Sequence, residues 1–237
     1  MFTRNLLFPN FSKTRINQTI KNKTMTRRLP VYLVLDTSGS MTGEPIEAVK
    51  NGLSTLLTAL RSDPHALETA YLSVITFDSD ARQVVPLTDL ASFQEPSLTA
   101  QGTTSLGEAL SLVARSIDNE VKKSSPEQKG DWKPLVFFMT DGQPTDDWQR
   151  GLNDFKTRKT GMVVACAAGT GADATFLKQI TENVVMLDTA DKATIAAYFK
   201  WVSSSITTSS KKVENAGVEA TTMSELPPPP PEVNVVF

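Results

Sequence analysis

Apolar residues along this chain follow two periods. Runs of strand length occur at Val31–Leu35, Ala70–Phe77, Pro134–Thr140, Met162–Ala167 and Val184–Leu187. Between them apolar residues recur at helical spacing. Ile46, Val49, Leu53, Leu56, Leu57 and Leu60 form one such face, opened by Glu44-Pro45 with proline near the first turn and broken at Asp63-Pro64. Leu106, Ala109, Leu110, Val113 and Ile117 form another within Ser105–Lys123, and shorter patterns cover Asp147–Lys159, Ala172–Thr181 and Lys192–Thr207. Asp173 and Asp191 stand where helix N-caps are wanted.

Strands that alternate with helices predict an α/β fold with a doubly wound, mostly parallel six-stranded sheet and helices on both faces. Pro134–Thr140 is apolar throughout, as expected of a strand buried on both sides. Ala81–Pro86 is the exception. It follows its predecessor across the turn Asp78-Ser79-Asp80, which is too short for parallel pairing. Pro86 cannot donate to a ladder, so this strand is expected at an antiparallel edge.

The periodic pattern marks residues 29–208 as the domain. Residues 1–28 read as a basic, disordered extension, with Met25 as an alternative start. Leu6-Leu7-Phe8 is too short for a signal-peptide core, although the basic, acid-free composition loosely resembles a transit peptide. Beyond Ser209 the apolar pattern stops, and residues 209–237 read as a flexible tail. Its prolines 227–231 favour an extended polyproline conformation, either solvated or serving as a docking peptide.

Composition narrows the function. Hydrophobic content of 40% and charged content of 21% are ordinary for a globular domain. Residues 1–28 hold seven Lys/Arg and no acid, and the remainder has 17 basic and 26 acidic side chains, a net of −9. An acidic domain is a poor nucleic-acid binder. Cys166 is the single cysteine, so no internal disulfide forms, and its apolar run marks it as a buried core residue. No apolar stretch reaches the roughly 18 residues of a membrane span.

Chemistry concentrates at strand ends. Val31–Leu35 leads into Asp36-Thr-Ser-Gly-Ser40, so a carboxylate and the hydroxyls of Ser38 and Ser40 converge at the carboxyl end of a buried strand. In open α/β sheets ligands bind at that end. Asp141-Gly142 follows Pro134–Thr140 directly, and Thr103-Thr104 precedes a helix. If the strands before Asp36 and Asp141 are neighbours, two carboxylates and several hydroxyls meet. Such oxygen donors suit a hard divalent cation.

These residues resemble the von Willebrand factor A family and its metal-ion-dependent adhesion site. Asp36-Thr-Ser-Gly-Ser40 matches the Asp-x-Ser-x-Ser element, Thr104 the threonine, with Thr103 as its alternative, and Asp141-Gly142 the final aspartate. The resemblance implies one bound ion, Mg²⁺ or else Mn²⁺ or Ca²⁺, held by Asp36, Ser38, Ser40, Thr104 and Asp141 directly or through water. It also implies an open position for a carboxylate from a protein partner. Thr103, Gly142 and Trp148 are the expected partner-facing residues. From Met25 to Met41, and in the proline-rich tail, the chain is similar to family members from bacterial tellurium-resistance clusters. That implies a cytoplasmic scaffold in a stress-response complex, with other tellurium-resistance proteins, a phosphatase or a kinase as partners.

An enzymatic reading is weaker. A haloacid-dehalogenase-type phosphotransferase needs a second aspartate where Ser38 stands, and no phosphate-binding loop is present. His65, the only histidine, is expected in a surface turn, and Gly169-Thr-Gly171 in a strand-to-helix turn. A phosphotransfer-type hydrolase using Asp36 and Asp141 is the alternative function. A metal-stabilised structural protein with metal-independent partners is another.

Overall fold

The computed structural model describes residues 27–236 apart from Thr170 and Asp173. The extension before Arg27 and the expected Asp173 cap therefore lie outside the described residues. The elements run β1 (Leu29–Asp36), α1 (Glu44–Ser62), α2 (Pro64–Thr69), β2 (Ala70–Phe77), β3 (Ala81–Asp89), α3 (Leu106–Glu120), β4 (Leu135–Thr140), α4 (Trp148–Lys156), β5 (Val163–Ala168), α5 (Ala174–Ile180), β6 (Val184–Leu187), α6 (Lys192–Asn215) and β7 (Asn234–Val236).

Strand order is β3-β2-β1-β4-β5-β6-β7, with parallel pairing from β2 through β6. The doubly wound expectation holds, and the physical reason is visible on β1. Val31, Leu33 and Leu35 pack on the face covered by α1 and α6, whereas Tyr32 and Val34 pack on the face covered by α3, α4 and α5. A strand apolar on both sides must be covered on both sides. β3 is the expected antiparallel edge, with register shifts opposite the segment that holds Pro86.

The six-strand count is corrected to seven. β7 pairs antiparallel with β6, from Met186↔Asn234 to Val184↔Val236, so both edges of the sheet are antiparallel. The boundary at residue 208 does not coincide with an end of packing either. α6 continues to Asn215, with Ile206, Ser209, Ser210 and Val213 buried along its last turns. Gly52 of α1 accepts the Phe199 ring, where any Cβ would overlap it. Beyond α6, Ala220, Leu226 and Val233 are buried, and the Trp201 indole donates to the Pro227 carbonyl at 2.8 Å. The segment expected as a flexible tail is a strap over the domain. Its apolar anchors are spaced too widely to register as periodicity.

Two smaller differences share one cause. Asp63-Pro64 ends α1 but also starts α2: the Asp63 carboxylate accepts from the Ala66 N–H at 3.0 Å, with proline at the first turn. His65 consequently sits on a helix and not in a turn, 2.5 Å from Glu214 of α6. Arg27 and Arg28, assigned to the extension, belong to the domain. Arg28 pairs with Asp131 at 2.5 Å, and the Arg27 guanidinium lies 3.5 Å over the Trp132 ring.

Candidate functional site

β1 and β4 are adjacent and parallel, which brings Asp36 and Asp141 to the same end of the sheet. Asp36 is fully buried and both its oxygens are engaged. Oδ1 accepts from the Ser38 N–H at 2.7 Å, and Oδ2 from the Thr140 hydroxyl at 2.5 Å. The Ser38 and Ser40 hydroxyls share a hydrogen bond of 3.0 Å, and Ser40 donates to Asp141 Oδ1 at 2.7 Å. These contacts grade outward: Asp36 and Ser38 are buried, Asp141 is half-buried and Ser40 is exposed.

Thr104 completes the cluster. A Cβ placed on Gly142 would lie 3.6 Å from Thr104 Oγ1 and 3.9 Å from Ser40 Oγ, so these three positions face one another. Thr103 points elsewhere: its N–H and hydroxyl lie 3.2 and 3.4 Å from Ser79 Oγ. Gly102, with φ +70°, makes the turn between the two loops, and a Cβ there would collide with Ser79. Trp148 opens α4, half-buried, with its ring 6.3 Å from that of Phe176.

Burial dominates the electrostatics. It raises the Asp36 pKa to about 6, against the lowering effect of its hydrogen bonds to Ser38 and Thr140, and the Asp141 charge adds to the rise. Asp141 is raised for the same reason, with Ser40 pulling the other way. Two carboxylates that resist ionisation side by side lack a positive charge. Among the described residues no three carboxylate, imidazole or thiol groups gather as a metal cluster. The donors here are two carboxylates and three hydroxyls, all oxygen, a set that fits a hard cation such as Mg²⁺ and not a thiolate-seeking metal.

Several positioning residues escaped the sequence reading. Thr140 holds Asp36, as above. Thr145 and Asp146 join the loop after β4 to the start of α3. The Thr145 hydroxyl accepts from the Thr104 N–H at 3.0 Å, and the Thr145 N–H donates to the Thr104 carbonyl at 2.9 Å. Asp146 accepts from the N–H groups of Gly107 and Glu108 at 3.0 and 2.9 Å, satisfying the first turn of α3. Gly107 and Gly151 allow the backbones of α3 and α4 to touch there. The available signal was Pro144-Thr-Asp-Asp147, cap-type residues standing before a helix that is not the one Asp146 caps.

Known proteins share this fold. An uncharacterized protein of Synechocystis sp. is 32% identical over 146 residues, 59% of this chain and 30% of that protein. The chain thus spans less than a third of that relative's length. Among solved structures, a von Willebrand factor type A protein from Catenulispora acidiphila superposes with a TM-score of 0.60 at 19% identity, over 76% of this chain and 43% of that one. Proximal thread matrix protein 1 from the mussel byssus, with a zinc-occupied MIDAS motif, gives 0.55 at 18% identity, over 76% and 48%. These likenesses show the shared fold. The family model of the von Willebrand factor type A domain matches residues 31–199, and the chain belongs to that family.

Proposed function

We propose that this protein is a metal-dependent protein–protein interaction module whose adhesion face is built from Asp36, Ser38, Ser40, Thr104 and Asp141. The observation that carries the reading is the convergence of these five side chains, from three separate segments, at the carboxyl ends of β1 and β4. A bound Mg²⁺, or Mn²⁺ or Ca²⁺ in its place, would supply an electrophilic position for a partner's carboxylate. Ser38, Ser40 and Thr104 offer neutral donors, and Asp141 a charged one at the rim. Asp36 contributes charge from beneath, through water or its remaining lone pairs. Few formal charges among the ligands leave the cation attractive to an outside anion. The zinc-occupied motif of the mussel protein supports a divalent ion on this fold.

The chemistry favours binding over turnover. Ser38 cannot protonate a leaving group, and His65 sits on α2 engaged with Glu214. On the resemblance of residues 25–41, the module serves as a cytoplasmic scaffold in a bacterial tellurium-resistance and stress-response complex, alongside a phosphatase or kinase. Among the described residues no helix is long and apolar enough to cross a membrane.

The test is Mg²⁺ calorimetry together with affinity capture in Mg²⁺ and in EDTA, with Thr104→Ala beside the wild type. Partners retained only with metal and lost in the variant support the reading. The same partners in every lane would make the site a structural one, with recognition elsewhere.

A further inference from the structure

A second concave site lies at the other end of the sheet from Asp36 and Asp141. It is a cleft of about 540 Å³ between the end of α3, the loop that follows it and the turn from α4 to β5. Pro134 lines it just before β4, whereas Asp141 follows β4. The strand separates the two by about 20 Å at ~3.3 Å per residue. The floor of the cleft is apolar: Ile117 and Pro134 are buried there, and Val121 and Trp132 half-buried. The Arg27 guanidinium covers one face of the Trp132 ring at 3.5 Å, and the rest of the side chain is left to the cleft.

The rim is basic. Lys122, Lys123, Lys133, Arg158 and Lys159 line the cleft, against the carboxylates of Asp118 and Asp131. Both carboxylates are already engaged. Asp118 pairs with Arg158 at 2.8 Å. Asp131 pairs with Arg28 at 2.5 Å and accepts the Lys122 N–H at 2.7 Å. Lys133 in turn pairs with Glu219 at 3.3 Å. Lys122, Lys123 and Lys159 are exposed and, among the described residues, form no ion pair. Glu127, the other acid of the loop, does not line the cleft. The loop that carries two of these lysines is held in place. Asp131 N–H donates to the Lys122 carbonyl at 2.9 Å, and Gly130 N–H to Ser124 Oγ at 2.9 Å. A Cβ on Gly130 would overlap the backbone of residues 122–124, so the loop closes on itself.

We propose that this cleft binds a nucleoside phosphate, with the base against Trp132, Val121 and Ile117 and the phosphates between Lys122, Lys123 and Lys159. Each part of the cleft asks for a different piece of that ligand. An apolar floor with an aromatic side chain takes a flat ring. Lysines bind phosphate as point charges, and three without partners call for more than one negative charge. The volume falls within the roughly 300–1,000 Å³ of small-ligand sites. The loop is already ordered, so little freedom is lost on binding. The cleft shares no residue with the metal face and does not depend on it.

Equilibrium dialysis of the full chain against labelled ADP tests this, in EDTA and at low salt, so that no cation bridges the nucleotide to Asp36 and Asp141. The expected result is saturable binding of one ADP per chain, with pyrophosphate and adenosine each weaker by at least about fivefold. Lys122→Gln combined with Lys159→Gln should weaken ADP at least about tenfold and leave adenosine unchanged. Trp132→Leu should weaken ADP at least about fivefold and leave pyrophosphate unchanged. Trp132 also packs beside Arg27, so the exposed lysine pair decides the matter should the tryptophan variant fail to fold. Asp141→Ala should bind ADP like the wild type. Wild type that binds no ADP overturns the proposal. Pyrophosphate bound as tightly as ADP overturns the role of the base, and adenosine bound as tightly overturns that of the phosphates. ADP affinity that survives in the lysine variant, or is lost in Asp141→Ala, places the nucleotide elsewhere and overturns the assignment to this cleft.

Discussion

Asp36 and Glu225 both accept backbone N–H hydrogen bonds, yet their pKa values move in opposite directions. Asp36 is buried, and desolvation lifts it to about 6 in spite of Ser38 and Thr140. Glu225 is half-exposed on the strap and drops to about 2, because Lys212 and the N–H groups of Thr221 and Thr222 hold its charged form. The strap closes its own electrostatics with an ion pair and a capping box. At the carboxyl end of the sheet Arg82 pairs with Asp80, but Asp36 and Asp141 reach the same serine pair and, among the described residues, neither forms an ion pair. A region that serves only the fold satisfies its charges internally. A region built to bind leaves the complementary charge to the ligand.

The largest expected effect breaks the binding side alone. Asp141→Ala should weaken Mg²⁺ affinity by at least about 100-fold while the far-UV spectrum persists, because the core lies behind the site in β1, β4 and the helices. Loss of the folded spectrum would show that this carboxylate also serves the fold.

The pH dependence should separate the two regions next. Asp36 titrates near 6 when folded and near its usual 3.8 when unfolded, so the folded state prefers the protonated form. Its contribution is fully present below about pH 4 and is lost as pH rises through 6, by about 3 kcal/mol at ~1.4 kcal/mol per unit. Saturating Mg²⁺ should remove this decline. Glu225 has the opposite sign: its contribution is present above 4.5 and is lost as pH falls towards 2. Denaturant unfolding from pH 3 to 8, with and without Mg²⁺, measures both. A metal-insensitive profile between 4 and 6.5 would contradict the open-charge account of Asp36.

Leu226→Ala sharpens the contrast from the strap. Leu226 is 7% exposed, and truncation should cost about 2–3 kcal/mol of unfolding free energy with Mg²⁺ affinity unchanged. A parallel fall in affinity would reveal that strap and site are coupled. The smallest effect is expected from Thr145→Val, which leaves the Thr104 N–H without its side-chain acceptor. Mg²⁺ binding should weaken about three- to tenfold, with stability within ~1 kcal/mol of wild type and recovery in Thr145→Ser. Unchanged affinity would mean that Thr104 is held by its own loop.

Much of the fold was readable from periodicity. Strand Ala70–Phe77 and strand Val184–Leu187 are found with the expected limits, and α1 within a residue of its expected end. α2 was missed because six residues are too few to show a period, although Asp63 and Pro64 carry the cap signal. The end of α6 and all of β7 were missed for a different reason. The buried positions there are Ser209, Ser210 and Val213, too polar a set to read as an apolar face, and β7 has three residues that pair only because the strap delivers them to β6. At the candidate site, Asp36, Ser38, Ser40 and Asp141 were legible as motif elements. Thr104 was preferred to Thr103 from its spacing to Ala109-Leu110, but its place beside Gly142 is a contact between distant segments that no local pattern records.

By itself the sequence determined the alternation of strands and helices, the buried character of the central strands and the oxygen-only donor set, because each depends on side-chain type at local spacing. The tertiary structure alone decided that β1 and β4 are neighbours, that the loop after β4 locks onto Thr104, and that the segment beyond the prolines closes the sheet edge. These depend on contacts between residues far apart in the chain, whose energies no local pattern records.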